Sequence, residues 1–385
     1  MTASFDHHSP YLSEQNVWDT YEKMRNQCPV AHSDEHGGFW ILTRFADVKA
    51  ATRDPETFSS SDGIRIPSVG PGRSIPIDFD PPVHTAYRAL LAQALTPNRI
   101  REVQPYVTDL ISRLVDEFHD AGGGDAVAAV ALPLPLQVLT QVVGFTQDTV
   151  SQLREVTERS WDNVVDMSLD EARRELRALV ENEMQRHRDQ RPEDYLTWLL
   201  DAEVDGRPVT DDEIARALLT LAIAGHETTV NAVGGLIYLL ASDDGLQTRL
   251  REQPELIPSF VEEVLRVRTP AQLFGRHTRR EVEIDGVTIP ADQPVLLAYA
   301  AANRDERKFP QGAEVDLDNA GRAHLAFGWG IHQCVGAALA RHELKTVTEK
   351  FCDLPRIRLD GPVTFGELQG GIHLGPRQLP IRFEN

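Results

Sequence analysis

A mainly α-helical chain with a small β portion is predicted by three features of the sequence. Apolar residues recur at helical spacing through most of residues 82–260. One of these stripes, beginning at Val209, runs for roughly 30 residues, far beyond the mean helix length. After residue 276 the texture changes to short runs rich in β-branched and aromatic residues, separated by turn signals.

In chain order, a helix is expected over residues 11–30, a strand over Phe39–Phe45 and a helix around Asp47–Ala51. Residues 59–78 hold serines, glycines and three prolines with little periodicity, which predicts a long loop of the kind that lines binding sites. Gly122-Gly123-Gly124 and Leu132-Pro133-Leu134-Pro135 are expected to interrupt the helices, and a charge-dense helical region to cover about 150–190. The long stripe opens with a capping box, Thr210 with Glu213 three residues on, and Val209 with Ile214 as hydrophobic staple. It continues through Ile214, Leu218, Leu221, Ala222, Gly225, Thr229, Val233, Leu236 and Leu240. A helix so long and so apolar must cross the protein interior. Glu281–Ile289 predicts a hairpin, Pro294–Tyr299 a buried strand, and Arg356–Leu359 with Leu379–Phe383 closing strands.

Composition excludes several classes. The formal charge of −20, from 39 basic and 59 acidic residues, disfavours nucleic acid and anionic membrane as partners. Cys28, Cys334 and Cys352 form no CxxC pair, so neither a disulfide scaffold nor a cysteine-rich zinc site is indicated, and no CxxCH marks covalent haem attachment. The N-terminus lacks a basic region followed by an apolar one, and no window approaches a membrane span. A cytoplasmic, soluble single chain is expected.

Four pieces carry chemistry, each with a bland alternative. Phe327-Gly328-Trp329-Gly330-Ile331-His332-Gln333-Cys334-Val335-Gly336 surrounds a cysteine with glycines that let a flat ligand approach the backbone, just where a helix begins. Cys334 there is either a reactive thiolate or a buried free thiol. Ala224-Gly225-His226-Glu227-Thr228-Thr229 places an acid and a hydroxyl beside a small-residue notch in the long helix. It is either a proton relay or a solvent-facing acid with packing threonines. Glu263 and Arg266 sit three apart on a helix from Val261 to Val267, the spacing of an ordinary surface ion pair. Asp80-Pro81-Pro82-Val83-His84-Thr85-Ala86-Tyr87-Arg88 opens a helix and puts His84 and Arg88 on one face, either to clamp carboxylates or to meet solvent.

The order and spacing of these pieces resemble a soluble bacterial cytochrome P-450, a haem-thiolate monooxygenase. Phe327-x-x-Gly330-x-His332-x-Cys334-x-Gly336 is similar to the family's haem-binding loop, Ala224-Gly225-x-Glu227-Thr228 to its oxygen-activating motif, and Glu263-x-x-Arg266 to its structural ion pair. Ala301–Asp305 and His324-Leu325-Ala326-Phe327 fit the same pattern. The resemblance covers the whole chain. It implies one catalytic domain over residues 1–385, β-rich near 37–45, 281–300 and 355–385, with the long central helix crossing the haem. It implies haem b as cofactor, O2 as co-substrate and Cys334 as the iron ligand, where a thiolate donates electron density and favours O–O cleavage.

Further roles follow from the same resemblance. His84, Arg88, Arg276 and His332 would meet the haem propionates. Phe327, Gly328 and Gly336 would shape the loop around the sulfur, and Ala224 and Gly225 would flank dioxygen while Glu227 and Thr228 deliver protons. Thr220, Ile223, Ala271, Leu273, Phe274 and Ile372, with residues 60–78 and His373, would line the substrate side. Glu227 stands where many relatives have aspartate, and Asn319 stands where an arginine usually completes the ion-pair network, with Arg322 as a possible replacement. The expected reaction is insertion of one oxygen atom into a small, largely apolar molecule by a monomer. With no reductase expected on the same chain, electrons would come from a ferredoxin and its NAD(P)H reductase. Arg88, Arg99, Arg101, Arg341 and Lys345 would form the docking patch. A peroxide-driven peroxygenase and a non-catalytic haem sensor are the alternatives, and the Glu227–Thr228 pair speaks against both.

Overall fold

The structure is a computed structural model that describes residues 5–68, 73–162, 169–318, 323–368 and 371–384, with only the backbone path for 157–162 and 169–173. Helix α1 covers Val17–Gln27, shorter at both ends than the stretch expected, and leads into the antiparallel pair β1 (Val30–Ser33) and β2 (Phe39–Leu42). The strand expected over 39–45 ends at Leu42, because α2 (Phe45–Arg53) already starts at Phe45, whose N–H is taken by Asp305 Oδ2 at 3.0 Å. After β3 (Phe58–Ser59) the expected loop runs to α3 (Val83–Ala94), for which Pro82 is the N-cap.

Helix α4 (Pro97–Asp120) is capped by Thr96, whose hydroxyl accepts the Arg99 N–H at 3.3 Å. The glycine run that follows is no mere interruption. It forms β4 (Gly123–Asp125), paired with the C-terminal strand. A Cβ at Gly123, φ +106°, would lie 2.3 Å from the Ile381 carbonyl oxygen, so only glycine permits this approach. Leu132–Pro135 does mark a boundary: Leu132 separates the helical turn Val127–Ala131 from α5 (Pro133–Val143), where Pro133 takes the first position and its missing N–H costs nothing. Helices α6 (Gln147–Asp162), α7 (Leu169–Gln190) and α8 (Tyr195–Leu200) follow, then the small pair β5 (Glu203–Val204) and β6 (Arg207–Pro208).

The long stripe is α9 (Asp211–Ser242), a continuous α-helix of 32 residues. Its capping box is formed in full: Thr210 Oγ1 accepts the Glu213 N–H at 3.3 Å, and Glu213 Oε2 accepts the Thr210 N–H at 2.8 Å. Helices α5, α7, α10 (Asp244–Glu252) and α11 (Ile257–Val267) pack around it, and Leu218, Val233 and Leu236 are wholly buried in the main apolar core. Next come β7 (Leu273–Thr278), the hairpin β8 (Val282–Ile284) and β9 (Val287–Ile289), β10 (Pro294–Ala298) and α12 (Tyr299–Asn303). Asp285 and Gly286, both at positive φ, make the hairpin turn. Helix α13 (Ala337–Asp353) is followed by β11 (Ile357–Leu359), β12 (Thr364–Phe365), β13 (Pro376–Gln378) and β14 (Pro380–Phe383).

The main sheet has the order β1-β2-β10-β7-β3, with β10 parallel to β2 and the other pairs antiparallel; a second sheet has the order β11-β14-β4. Two smaller apolar cores flank the main sheet. Among the described residues, no helix is long and apolar enough to cross a membrane.

Candidate active site

The middle of α9 breaks its own burial pattern. The turns through Leu221–Ala222 and from His226 onward are buried, yet Ile223, Ala224 and Gly225 between them are exposed. An isoleucine 37% exposed halfway along a core-crossing helix marks a cleft. Thr228 Oγ donates to the Ala224 carbonyl at 2.7 Å without interrupting the helix. Glu227 does not face solvent. It is buried, with His373 Nδ1 2.6 Å from its Oε2. His373 is held in place by backbone: Ala271 and His373 form a bridge, the Gln272 N–H donates to Ile372 O at 2.7 Å, and the Leu374 N–H donates to Pro270 O at 3.2 Å.

The cysteine loop is built by two glycines at positive φ, Gly328 at 66° and Gly330 at 73°. A Cβ at Gly330 would meet the Thr52 carbonyl at 2.2 Å, which seats the loop against α2. The Cys334 N–H donates to Phe327 O at 2.8 Å. Cys334 is an exposed residue of this loop, not part of the apolar core. Desolvation by the protein around it pushes its pKa up; hydrogen bonds from the Gly336 and Ala337 amides, at the head of α13, and the charges of Arg88 and Arg341 pull the other way. Phe327 packs against the main core, with the Arg341 guanidinium 4.5 Å above its ring.

Beside the loop, the structure brings together the four donors expected from sequence. His84 is buried, its ring 4.5 Å from that of His332, and neither His84 nitrogen has a partner. Arg88 donates to Gln333 O, and buried Arg276 donates to Gly275 O at 2.7 Å. His332 Nε2 lies 3.0 Å from Ser60 Oγ. Burial, then Arg276, His84 and Arg88, push His332 down to about 2; burial and Arg88 lower His84. Two arginines and two imidazoles, with both His84 nitrogens orphaned, form a corner that calls for an anion.

The ion pair is no surface ornament. Arg266 Nε meets Glu263 Oε1 at 2.8 Å and Arg266 Nη2 meets Oε2 at 2.6 Å, both side chains buried. Arg266 also donates to the carbonyls of Asn303, Gly312 and Glu314, and the Asp316 N–H donates to Glu263 Oε2. Asn319 and Arg322 lie outside the described residues. Asn303 Oδ1 accepts the Leu325 N–H at 2.6 Å and so ties α12 to the start of the cysteine loop.

The substrate-side set divides. Ile223 is exposed and Thr220 half-buried, its hydroxyl bonded to Arg216 O. Leu273 is fully buried in the core with Phe5, Leu12 and Leu296, and Phe274 packs edge-on against Tyr299 at 5.6 Å, because strand alternation sends them to opposite faces of the main sheet. Ala271 and Ile372 are buried too, as parts of the backbone zipper that carries His373. Sequence reasoning did not single out Ser60 or assign His373 to the acid; no local pattern signals either, since their partners lie 272 and 146 residues away.

The family model for cytochrome P450 matches residues 140–352. The chain is 33% identical over 359 residues to cytochrome P450 130 of Mycobacterium tuberculosis, covering 88% of each. It is also 33% identical over 360 residues to nocardicin C N-oxygenase of Nocardia uniformis subsp. tsuyamanensis, covering 89% of each. The solved structure of cytochrome P450 CYP109Q5 from Chondromyces apiculatus superposes with a TM-score of 0.87 at 30% identity, covering 100% of this chain and 99% of that one. The chain belongs to the cytochrome P450 family, oxidoreductases of the monooxygenase class that use haem and O2. Its residues fit that cofactor. A thiol sits in a glycine-flanked loop at the head of a helix, and an orphaned pair of buried imidazole nitrogens with two arginines suits the two carboxylates of haem.

Proposed function

We propose that this chain inserts one oxygen atom from O2 into a small, largely apolar organic molecule, taking electrons from a separate ferredoxin. When bound, haem supplies the iron at which O2 is activated. Cys334 is the thiolate ligand. Left to itself its thiol is pushed up by desolvation, and coordination to a metal cation holds it deprotonated. The amides of Gly336 and Ala337 then hold the sulfur's charge at the head of α13. His84, Arg88, Arg276 and His332 bind the carboxylates. Ala224 and Gly225 keep side-chain bulk away from the reacting atoms. Glu227, oriented by His373, passes protons toward Thr228, whose hydroxyl is fixed by Ala224 O.

The relatives' names span N-oxygenation in nocardicin C N-oxygenase and hydroxylation with epoxidation in mycinamicin IV hydroxylase/epoxidase. That range supports the monooxygenase class for this chain, while the open face at Ile223 supports an apolar substrate. A peroxide-driven reaction would bring its own protons and leave the buried Glu227–His373 pair without a purpose.

The observation that carries this reading is Cys334, in a glycine-built loop with its sulfur bonded to the first amides of α13. Reduced protein with carbon monoxide is expected to give the red-shifted Soret band of a thiolate complex, and Cys334→His to abolish it. Survival of that band in the variant would sink the assignment.

A further inference from the structure

Away from the cleft, three histidines meet at the N-terminal end of the chain. His7 and His8 belong to the segment before α1, and His36 to the turn between β1 and β2. One ring nitrogen of each lies within 4.8 Å of one nitrogen of the other two. The ring centroids are 4.3, 5.3 and 5.0 Å apart. We propose that His7, His8 and His36 form a site for a divalent transition-metal ion of the zinc type, which fastens the first residues of the chain to the β1–β2 turn.

Ordinary packing accounts for part of the cluster only. His7 Nε2 and His8 Nε2 lie 2.6 and 2.9 Å from the Ile66 carbonyl, which explains why those two rings converge. It leaves the buried Nδ1 of His7, a residue 2% exposed, without a partner, and it gives no reason for the third ring. Asp6 supplies the supporting shell that metal-binding imidazoles use. Its Oδ1 lies 2.7 Å from His36 Nε2 and accepts the His8 N–H at 2.9 Å. Gly371, at φ +70°, makes the room. A Cβ there would sit 2.7 Å from His7 Cδ2 and 2.8 Å from His8 Cε1.

The protonation state suits a ligand set. Burial favours the neutral imidazole at both His7 and His8, the form that binds a metal. Three imidazoles plus water are a common zinc coordination, and imidazole sets also suit nickel and copper. Metal–nitrogen bonds of about 2.0–2.1 Å require nitrogens that now lie within 4.8 Å of one another to close to about 3.3 Å on binding. The site rests against Ile66 of the long loop and Gly371, two residues before His373, so a bound ion would also stiffen the turn that positions the relay acid's partner.

The test is zinc titration of tag-free, haem-loaded protein after chelator treatment, by calorimetry and elemental analysis. One saturable zinc per chain is expected, with a rise in thermal midpoint on binding. His8→Gln and His36→Gln are each expected to weaken binding at least tenfold, and Asp6→Asn about tenfold or more. His7 is left in place because removing it would open a buried corner. The carbon monoxide spectrum of each variant verifies that the fold is intact. Absence of saturable binding, or an unchanged affinity in the His8→Gln/His36→Gln double variant, would overturn the proposal, since the chain has 13 histidines and zinc would then be using others.

Discussion

His373 reaches Glu227 from the far end of the chain, and that contact changes how the acid works. A carboxylate buried in an apolar helix is expensive unless a partner meets it. The imidazole at 2.6 Å is that partner, carried by a backbone zipper to Pro270–Gln272. In the proposed relay His373 is thus a positioning residue for Glu227. His373→Ala is expected to lower product formation about tenfold while substrate-induced Soret shifts keep their midpoint, and His373→Gln to recover part of the loss. Glu227→Ala removes the proposed proton carrier itself and should cost more, on the order of 10²-fold. Product formed per NAD(P)H consumed is the measurement. Equal coupling in His373→Ala and the unaltered protein would remove His373 from the relay. At this scale the sequence showed the acid, the threonine and the cysteine. It could not show that Glu227 is buried, nor that Ser60 meets His332, because these depend on segments brought together from opposite parts of the chain.

At the scale of elements, α9 was legible almost to the residue. Its capping box is a local pattern, and local patterns need no tertiary information. The box is more than a cap, however. Glu213 also receives the Tyr87 hydroxyl and the Arg207 guanidinium, so it joins α9 to α3 and to β6. Thr210→Ala is expected to cost about 1 kcal/mol, the worth of an N-cap. Glu213→Ala should cost about 1–3 kcal/mol, because it also strands the partly buried Tyr87 hydroxyl. Urea unfolding midpoints measure both, and an equal loss in the two would show that the links to Tyr87 and Arg207 contribute nothing. Both interruptions expected from sequence are present, but what each becomes was not legible. Gly122–Gly124 and Leu132–Pro135 carry breaker residues, and breakers report local freedom. Only β14, arriving from the end of the chain, turns Gly123 into a strand residue, and only the continuous path out of residues 127–131 puts Pro133 at a helix start.

At the scale of the whole molecule, charge governs the meeting with a redox partner. The net charge of −20 repels acidic proteins in general, so docking needs a local exception. Arg99, Arg101, Arg341 and Lys345 do lie on α4 and α13, which pack against each other. The structure tempers the patch: Arg341 is held by Glu262 at 2.7 and 2.9 Å, Lys345 lies 2.6 Å from Glu349, and Arg99 lies 3.6 Å from Glu102. For the proposed ferredoxin, steering there would rest on a small surplus of positive charge. Charge reversal at Arg99 or Lys345 is expected to slow reduction by ferredoxin several-fold at low salt, with the difference fading as ionic strength rises. Reduction rates with an unaltered salt dependence would move the docking face elsewhere.

The sequence by itself determined the chemistry-bearing loop, the central helix and the family, because these rest on residue types at short, fixed spacings: glycines where the backbone must turn, a cysteine at a helix head, an acid beside a threonine. What only the tertiary structure decided is which groups meet across long separations. It placed His373 on Glu227, gathered His84, Arg88, Arg276 and His332 into one anion-seeking corner, buried Leu273 in one core beside the sheet and packed half-buried Phe274 against another, and closed His7, His8 and His36 into a cluster. Spacing along a chain encodes the period of a helix or the register of a turn. It carries no record of which distant segment will pack against it, and that is settled by burial and by the pairing of polar groups once the whole core forms.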